Sequence, residues 1–305
     1  MFRLIRSGVD YDYPPYRPPS EAQSLLLRIT RGCPWNRCTF CSMYKDVRFE
    51  KRPLKEIIQD IETAYRIYGS QPRSIFIGDS NSLVLAPRLF EKILRELYRH
   101  FPSVERVTSY ARARTLCDKS IDDLRLIREA GLTRLHIGLE TGDPQLLKEI
   151  RKGATPEQMV KGAAKAKEAG FEVSLYVLAG VGGETGWRQH AEGTANVLNK
   201  VDPHFIRIRT YVPAPHTPLW DRIQEGSFEL ASPETVFRKQ SRLIQRLEVS
   251  SQYLSDHISN YAPVYGKLPE DRAEMLRTIE SALEILKNDS SYHDSLVNKR
   301  NLRRL

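Results

Sequence analysis

The sequence predicts an α/β protein: a partial, open β/α barrel of six parallel strands followed by a helical C-terminal extension. Three observations predict it. Strand-like apolar runs alternate six times with segments of helical spacing, and each parallel crossover needs such a helix. Six units are too few for a closed eight-stranded barrel. Beyond Val212 the strand signal stops and long helical spacing takes over.

The elements follow in order. Residues 1–22, with Tyr13-Pro-Pro-Tyr-Arg-Pro-Pro19, read as an extended arm, since proline fixes φ and discourages helix. Leu25–Thr30 is the first strand of a core spanning 23–220. Leu54, Ile57, Ile58, Ile61 and Tyr65 share one face of a helix over Pro53–Tyr68. Ser74–Gly78 is the second strand, and Pro87–Phe101 a helix opened by proline. Arg106–Tyr110 and Thr133–Leu139 are strands, separated by a helix over Ser120–Ala130 that Gly131 ends. A helix over Thr155–Ala169 leads to the strand Phe171–Leu178, and Trp187–Lys200 to the strand Phe205–Val212. Residues 221–305 are the extension, with helices expected over Ser232–Leu254 and Leu268–Lys287 and a basic tail over Asn298–Leu305.

Composition narrows the class. The chain has 305 residues, 40% of them hydrophobic, with 18 prolines and 17 glycines, as in an ordinary globular protein. No window approaches 18 uncharged apolar residues, so no membrane partner is expected. Met1-Phe-Arg-Leu-Ile-Arg-Ser7 lacks the pattern of a signal peptide, and the expected location is the cytoplasm. The net charge of +9 permits an anionic partner such as RNA, although a solvated basic surface accounts for it equally well.

The chemistry centres on three of the four cysteines. Cys33, Cys38 and Cys41 fall within nine residues, and only Cys117 lies elsewhere. Three thiolates without a nearby fourth ligand can hold three irons of a cubane cluster and leave one iron open to a small molecule. Zinc would want a fourth ligand, and the spacing alone excludes neither metal. The cysteine loop follows the first strand, which puts it at the carboxyl end of the sheet, where ligands gather in β/α folds. Strand alternation places Arg28 and Thr30, His136 and Glu140, Ser174 and Tyr176, and Arg207, Arg209 and Tyr211 on one face. Leu135, Ile137, Leu139, Val173, Leu175 and Val177 take the other. A polar inner face is expected to mark a cavity that solvates a ligand.

The cysteine loop, Phe40 before its last cysteine, and four further stretches carry a family resemblance. These are Gly138-Leu-Glu-Thr-Gly142 followed by Leu147-Lys-Glu-Ile-Arg-Lys-Gly153, then Leu178-Ala-Gly-Val-Gly-Gly-Glu184 and Pro213-Ala-Pro-His-Thr-Pro-Leu219. With the β-α pattern they resemble the radical S-adenosylmethionine (SAM) superfamily, in the branch of the Elongator catalytic subunit, the methylthiotransferases and the oxygen-independent coproporphyrinogen oxidases. The spacing here is CxxxxCxxC instead of the usual CxxxCxxC. One extra residue near Trp35 is tolerable in a loop and is expected to reshape its path.

The resemblance implies that Cys33, Cys38 and Cys41 ligate a [4Fe–4S] cluster whose fourth iron binds SAM. Reductive cleavage of SAM would then yield a 5′-deoxyadenosyl radical that abstracts hydrogen from a substrate. A reducing partner such as flavodoxin or ferredoxin would supply the electron. Phe40 would lie near adenine, Asp79 near the SAM amino group and Glu140 beside SAM. Ser174 and Tyr176 would meet ribose or carboxylate, and the turn from Gly180 would let backbone approach adenine. Arg207 or Arg209 would pair with a carboxylate of SAM or substrate, unless they bridge to Glu140 or Asp79 and hold the rim. His216 and the polar stretch Ser255–Tyr261 are open to a substrate role or a surface one. With no second cysteine cluster, methylthiolation is disfavoured. A non-catalytic haem or porphyrin chaperone, or an RNA-modifying enzyme, is the alternative on the same fold.

Overall fold

The computed structural model describes residues 16–302, so most of the expected arm and the last three residues of the basic tail lie outside the described residues. Strands β1 (Leu25–Arg28), β4 (Ser74–Gly78), β5 (Arg106–Ala111), β6 (Leu132–Glu140), β7 (Glu172–Ala179), β8 (Phe205–Thr210), β9 (Gln252–Ser255) and β10 (Val264–Lys267) form one sheet in that order. A separate ribbon pairs β2 (Thr30–Arg31) with β3 (Glu50–Lys51). The chain divides into two compact units, the first comprising Met1–Asn36, Met43–Ile137 and Ala164–Val173 and the second Arg37–Ser42, Gly138–Ala163 and Ser174–Leu305.

In the first unit β1, β4 and β5 run parallel, with Leu25 opposite Ile75 and Ile75 opposite Val107. All four residues of β1 are buried, as suits a parallel strand covered on both faces. Helix α1 (Leu54–Tyr68) buries Ile57, Ile61 and Ala64, and α2 (Pro87–His100) buries Phe90, Ile93, Leu94 and Leu97. Both stripes follow the 3.6-residue period. The short helix α3 (Ala113–Asp118) precedes α4 (Ile121–Glu129), which opens on a capping box between Ser120 and Asp123.

In the second unit β7 and β8 are parallel, with Tyr176 opposite Arg207 and Leu178 opposite Arg209. Helices α5 (Pro144–Glu149), α6 (Pro156–Glu168) and α7 (Trp187–Val201) belong to the β-α series, α6 passing into the first unit at Ala164. After α8 (Pro218–Gln224) come α9 (Pro233–Arg246), α10 (Arg272–Asn288) and α11 (Ser290–Asn298). Leu135, Ile137, Leu139, Val173, Leu175 and Val177 are buried, as alternation predicts.

The extension departs from expectation in one respect. Ser232–Leu254 is not one helix: α9 stops at Arg246, and Gln252–Ser255 joins the sheet as β9, parallel to β8. Val264–Lys267 then pairs antiparallel to β9. Apolar spacing runs on through Leu243, Ile244 and Leu247, but local side chains capture the backbone that a longer helix would need. The Asp202 carboxylate accepts from Ser250 N and the Asn199 amide oxygen from Glu248 N.

Candidate functional site

The first half of the cysteine loop is held by a buried carboxylate. Asp79, at the end of β4, accepts from Arg28 Nε at 3.1 Å, Arg28 Nη2 at 3.2 Å and Gly32 N at 2.9 Å. Arg28 and Asp79 are 3% and 1% exposed, so this ion pair is desolvated, and it is sustained because both carboxylate oxygens have donors. Ser80 Oγ donates to the carbonyl oxygen of the same residue, Gly32. Gly32 sits at φ +74°, and a Cβ there would lie 3.1 Å from Val47 O. Asp79, the residue expected near the SAM amino group, thus fixes the approach to Cys33 through Gly32.

Within the four-residue first gap of the loop, Asn36 adopts a left-handed φ of 47°. Asparagine tolerates that conformation because its short side chain bonds locally. Here Nδ2 donates to Tyr44 O at 2.5 Å, and the backbone N–H points to Cys33 Sγ at 3.4 Å. Trp35 lies under the Arg112 guanidinium, 5.0 Å from ring centroid to Cζ. Arg112 N in turn donates to Asn81 Oδ1, in the turn after β4.

Main-chain bonds hold the second half. Thr39 N donates to Ile150 O at 3.0 Å, and Thr39 O accepts from Leu219 N at 2.9 Å. Phe40 packs against a buried cluster of Leu146, Ile150, Val181, Tyr211 and Leu219. The structure thus brings Phe40 together with the glycine turn after β7, through Val181. Gly180 and Gly183 have φ of +85° and +68°, and a Cβ on Gly183 would come within 2.8 Å of Glu229 O. From this turn Glu184 accepts from Ser232 N and Thr235 Oγ1, both at 2.6 Å. Burial would raise the Glu184 carboxyl, but those bonds hold it below the usual carboxylate range.

Glu140 ends β6 at φ 62° and pairs with Lys152 Nζ at 2.7 Å, each side chain 14% exposed. Gly138 makes room for the pair, since a Cβ would fall 2.3 Å from Glu140 Oε1. Ser174 is fully buried and accepts from Arg207 Nε at 3.2 Å. Arg209 stacks 5.2 Å above Tyr176 and lies 3.9 Å from Asp256 Oδ1. His257 follows, bonded to Ser259; burial, then Arg209, holds its pKa down to about 4 against the pull of Asp256. The polar face splits: Arg28, His136, Ser174 and Arg207 are buried, whereas Glu140, Tyr176 and Arg209 are partly exposed. His216 is exposed in the loop after β8, and Cys117 lies in α3, its carbonyl accepting from Lys165.

Cys33, Cys38 and Cys41 are all partly exposed, hence reachable from solvent. Among the described residues no three His, Cys, Asp or Glu side chains converge as a single metal ion would require. A cubane asks for something else: it spreads three thiolates over three irons and is tuned by N–H groups aimed at sulfur. A soft all-thiol donor set with a backbone N–H at Cys33 Sγ fits that group.

Residues 27–192 match the Radical SAM superfamily, more than half of the chain. The chain belongs to that superfamily. Radical SAM proteins use a [4Fe–4S] cluster and SAM. The heme chaperone HemW of Bacillus subtilis is similar, 23% identical over 231 residues, which cover 74% of this chain and 60% of HemW. An uncharacterized methyltransferase of Pyrococcus horikoshii is 26% identical over 200 residues, 64% of this chain and 41% of that protein. Among solved structures, coproporphyrinogen III oxidase (HemN) from Escherichia coli gives a TM-score of 0.54 at 16% identity, covering 73% of this chain and 50% of HemN. Methylornithine synthase (PylB) gives 0.52 at 18%, covering 74% and 63%. These likenesses show a shared radical SAM fold, and the chain spans less than two thirds of each relative.

Sequence reasoning missed several buried polar groups. His190 in α7 is fully buried, 2.8 Å from Thr141 Oγ1, and burial holds it well below the usual histidine range. Lys239 in α9 is 1% exposed, and among the described residues its Nζ has no hydrogen-bond partner. Neither carries a local signal: each falls within an amphipathic helix, where lysine and histidine are ordinarily read as surface residues.

Proposed function

We propose that the chain is a radical SAM enzyme in which Cys33, Cys38 and Cys41 ligate a [4Fe–4S] cluster and leave one iron for SAM. When bound, the two cofactors supply one-electron cleavage of SAM and hydrogen abstraction from a substrate. The observation that supports this reading best is the thiol triad on a loop pinned on both sides of its first gap, by Asp79 through Gly32 and by the Thr39 main chain. Phe40, Val181 and the glycine turn offer an apolar wall that keeps water from an adenine ring. Tyr176 and Arg209 offer polar contacts above it, while Glu140, tethered by Lys152, presents its second oxygen to a donor on SAM. The proposed division is a core over 23–220 and an extension over 221–305. A low-potential donor of the flavodoxin or ferredoxin class, in the cytoplasm, is the partner this reading requires.

The test is anaerobic reconstitution with iron and sulfide, then reduction with dithionite in the presence of SAM. Cys33→Ala, Cys38→Ala and Cys41→Ala each lose iron and form no 5′-deoxyadenosine, whereas Cys117→Ala retains both. Wild-type iron content in the triple Cys→Ala variant sinks the ligand assignment. A second reading has one supporting observation, the likeness to HemW over 74% of the chain: a porphyrin-binding chaperone on the same fold. Stoichiometric haem binding, with 5′-deoxyadenosine absent under every substrate condition, would favour it.

A further inference from the structure

One buried side chain spans two loops of the second unit that the proposed function assigns to the cofactor. His190 lies in the first turn of α7, and it, Thr141 and Thr194 are all fully buried. Its Nε2 is 3.2 Å from Leu178 O, near the end of β7, and its Nδ1 is 2.8 Å from Thr141 Oγ1, just after β6. The tautomer follows from the partners. A carbonyl only accepts, so Nε2 carries the proton and Nδ1 is left to accept from a hydroxyl. Thr141 Oγ1 itself accepts from Asp143 N at 3.1 Å, which leaves its own proton for Nδ1. Burial, then the charge of Lys239, holds the imidazole well below the usual histidine range against the pull of Leu178 O.

Each partner closes a turn. Leu178 O also accepts from Val181 N, and Gly183 N donates to Gly180 O, so the imidazole holds the carbonyl on which the glycine turn begins. Thr141 directly follows Glu140, and Gly142 N after it donates to Thr194 Oγ1, which lies 3.3 Å from the same Nδ1. The helix backs this loop closely: a Cβ on Gly193 would fall 2.7 Å from Asp143 N. An apolar residue would suffice to pack the inner face of α7. A buried imidazole costs desolvation and is tolerated only where both nitrogens find partners, and here Leu178 and Thr141 both lie off the helix.

We propose that His190 is a positioning residue that locks the carboxyl ends of β6 and β7 in one register, so that Glu140 and the Gly180 turn meet a single SAM molecule together. The inference rests on the enzyme reading above and deepens it, since the imidazole acts through Thr141 and Leu178. Small errors of placement are costly in such a site, because binding and orientation depend on contacts held at once.

The test uses the full chain reconstituted with iron and sulfide. His190→Leu removes both bonds. His190→Asn sets an amide oxygen on the same side-chain carbon that bears Nδ1, and so keeps the bond to Thr141 while losing the one to Leu178. Hydrogen exchange read by mass spectrometry rises over residues 140–146 and 178–184 in His190→Leu, and over 178–184 alone in His190→Asn. Iron content matches wild type in both, because Asp79 and the Thr39 main chain hold the cysteine loop. In calorimetry His190→Leu binds SAM roughly ten- to hundredfold more weakly, the range for buried acceptors left unpaired, and His190→Asn recovers part of the loss. Should His190→Leu fail to fold, His190→Asn carries the test by comparison with wild type. Raised exchange with unchanged SAM affinity overturns the proposal, because the imidazole is then core support alone. Iron lost in step with SAM affinity, or His190→Asn no better than His190→Leu, overturns it as well. A wild type that binds no SAM overturns the enzyme reading along with this one, whereas equal SAM binding across wild type and variants overturns this inference alone.

Discussion

Replacing Lys239 by methionine should stabilise the protein, by an amount that depends on pH. The lysine lies on the buried face of α9 among Val236, Phe237, Gln240 and Leu243, and burial holds its amine down to about 7 from the usual 10.5. Below pH 7 the amine is charged in both the folded and unfolded chain, and the folded state bears the full penalty. At about 1.4 kcal/mol per pH unit, the lowering corresponds to a ceiling of about 5 kcal/mol. Between about pH 7 and 10.5 the unfolded chain binds the extra proton, so wild-type stability rises with pH across that window. Above it the penalty vanishes. Methionine keeps the length of the stem and removes the charge. Urea unfolding followed by circular dichroism from pH 6 to pH 10.5 gives the difference between Lys239→Met and wild type. The expected curve starts with the variant more stable by up to about 5 kcal/mol and closes towards zero at high pH. A difference that stays flat with pH, or a variant less stable than wild type at pH 6, refutes the reasoning.

Three further outcomes follow from pairs described above. Asp79→Ala leaves Arg28 buried without its partner and should cost about 3–5 kcal/mol in urea unfolding and lower the iron retained on reconstitution, while Arg28→Met with Asp79→Leu recovers most of the stability but not the iron. Glu21 is fully buried; burial would raise its carboxyl, but hydrogen bonds from His136 and Ser24 and the charges of His136 and Arg106 bring it to about 2. Its contribution, about 3 kcal/mol, is present above pH 4.5 and lost as pH falls through 2, so the gap between wild type and Glu21→Gln in thermal unfolding should narrow over that range. Gly142→Ala would set a Cβ 2.1 Å from Gly193 O, backbone that cannot rotate away, and should cost at least the roughly 1–3 kcal/mol of ordinary overpacking, read as a lowered melting temperature.

The six-strand β-α series was legible because buried parallel strands are short apolar runs and their helices keep a 3.6-residue stripe, as in α1 and α2. Strands β9 and β10, four residues each, were not, since Leu243, Ile244 and Leu247 extend the helical stripe past the true end of α9. The cysteine pattern announced the cofactor, yet the bonds that shape its loop are invisible along the chain. Arg28 and Asp79 are 51 residues apart, and Thr39 works through its main chain, which carries no residue-type signature. Lys239 was hidden for the opposite reason: a cation in an amphipathic helix defaults to the surface, and only packing shows that this one is buried.

The Asp79–Gly32 and Thr39 bonds also bear on how such a protein meets iron. They are made entirely of protein atoms, so the loop that presents the thiols takes its course before any metal arrives. Folding and loading become separable events, unlike in a zinc finger, where the ion supplies the energy of folding. A chelator, or oxygen attacking the cluster, should strip the metal and leave a folded apoprotein ready to be refilled.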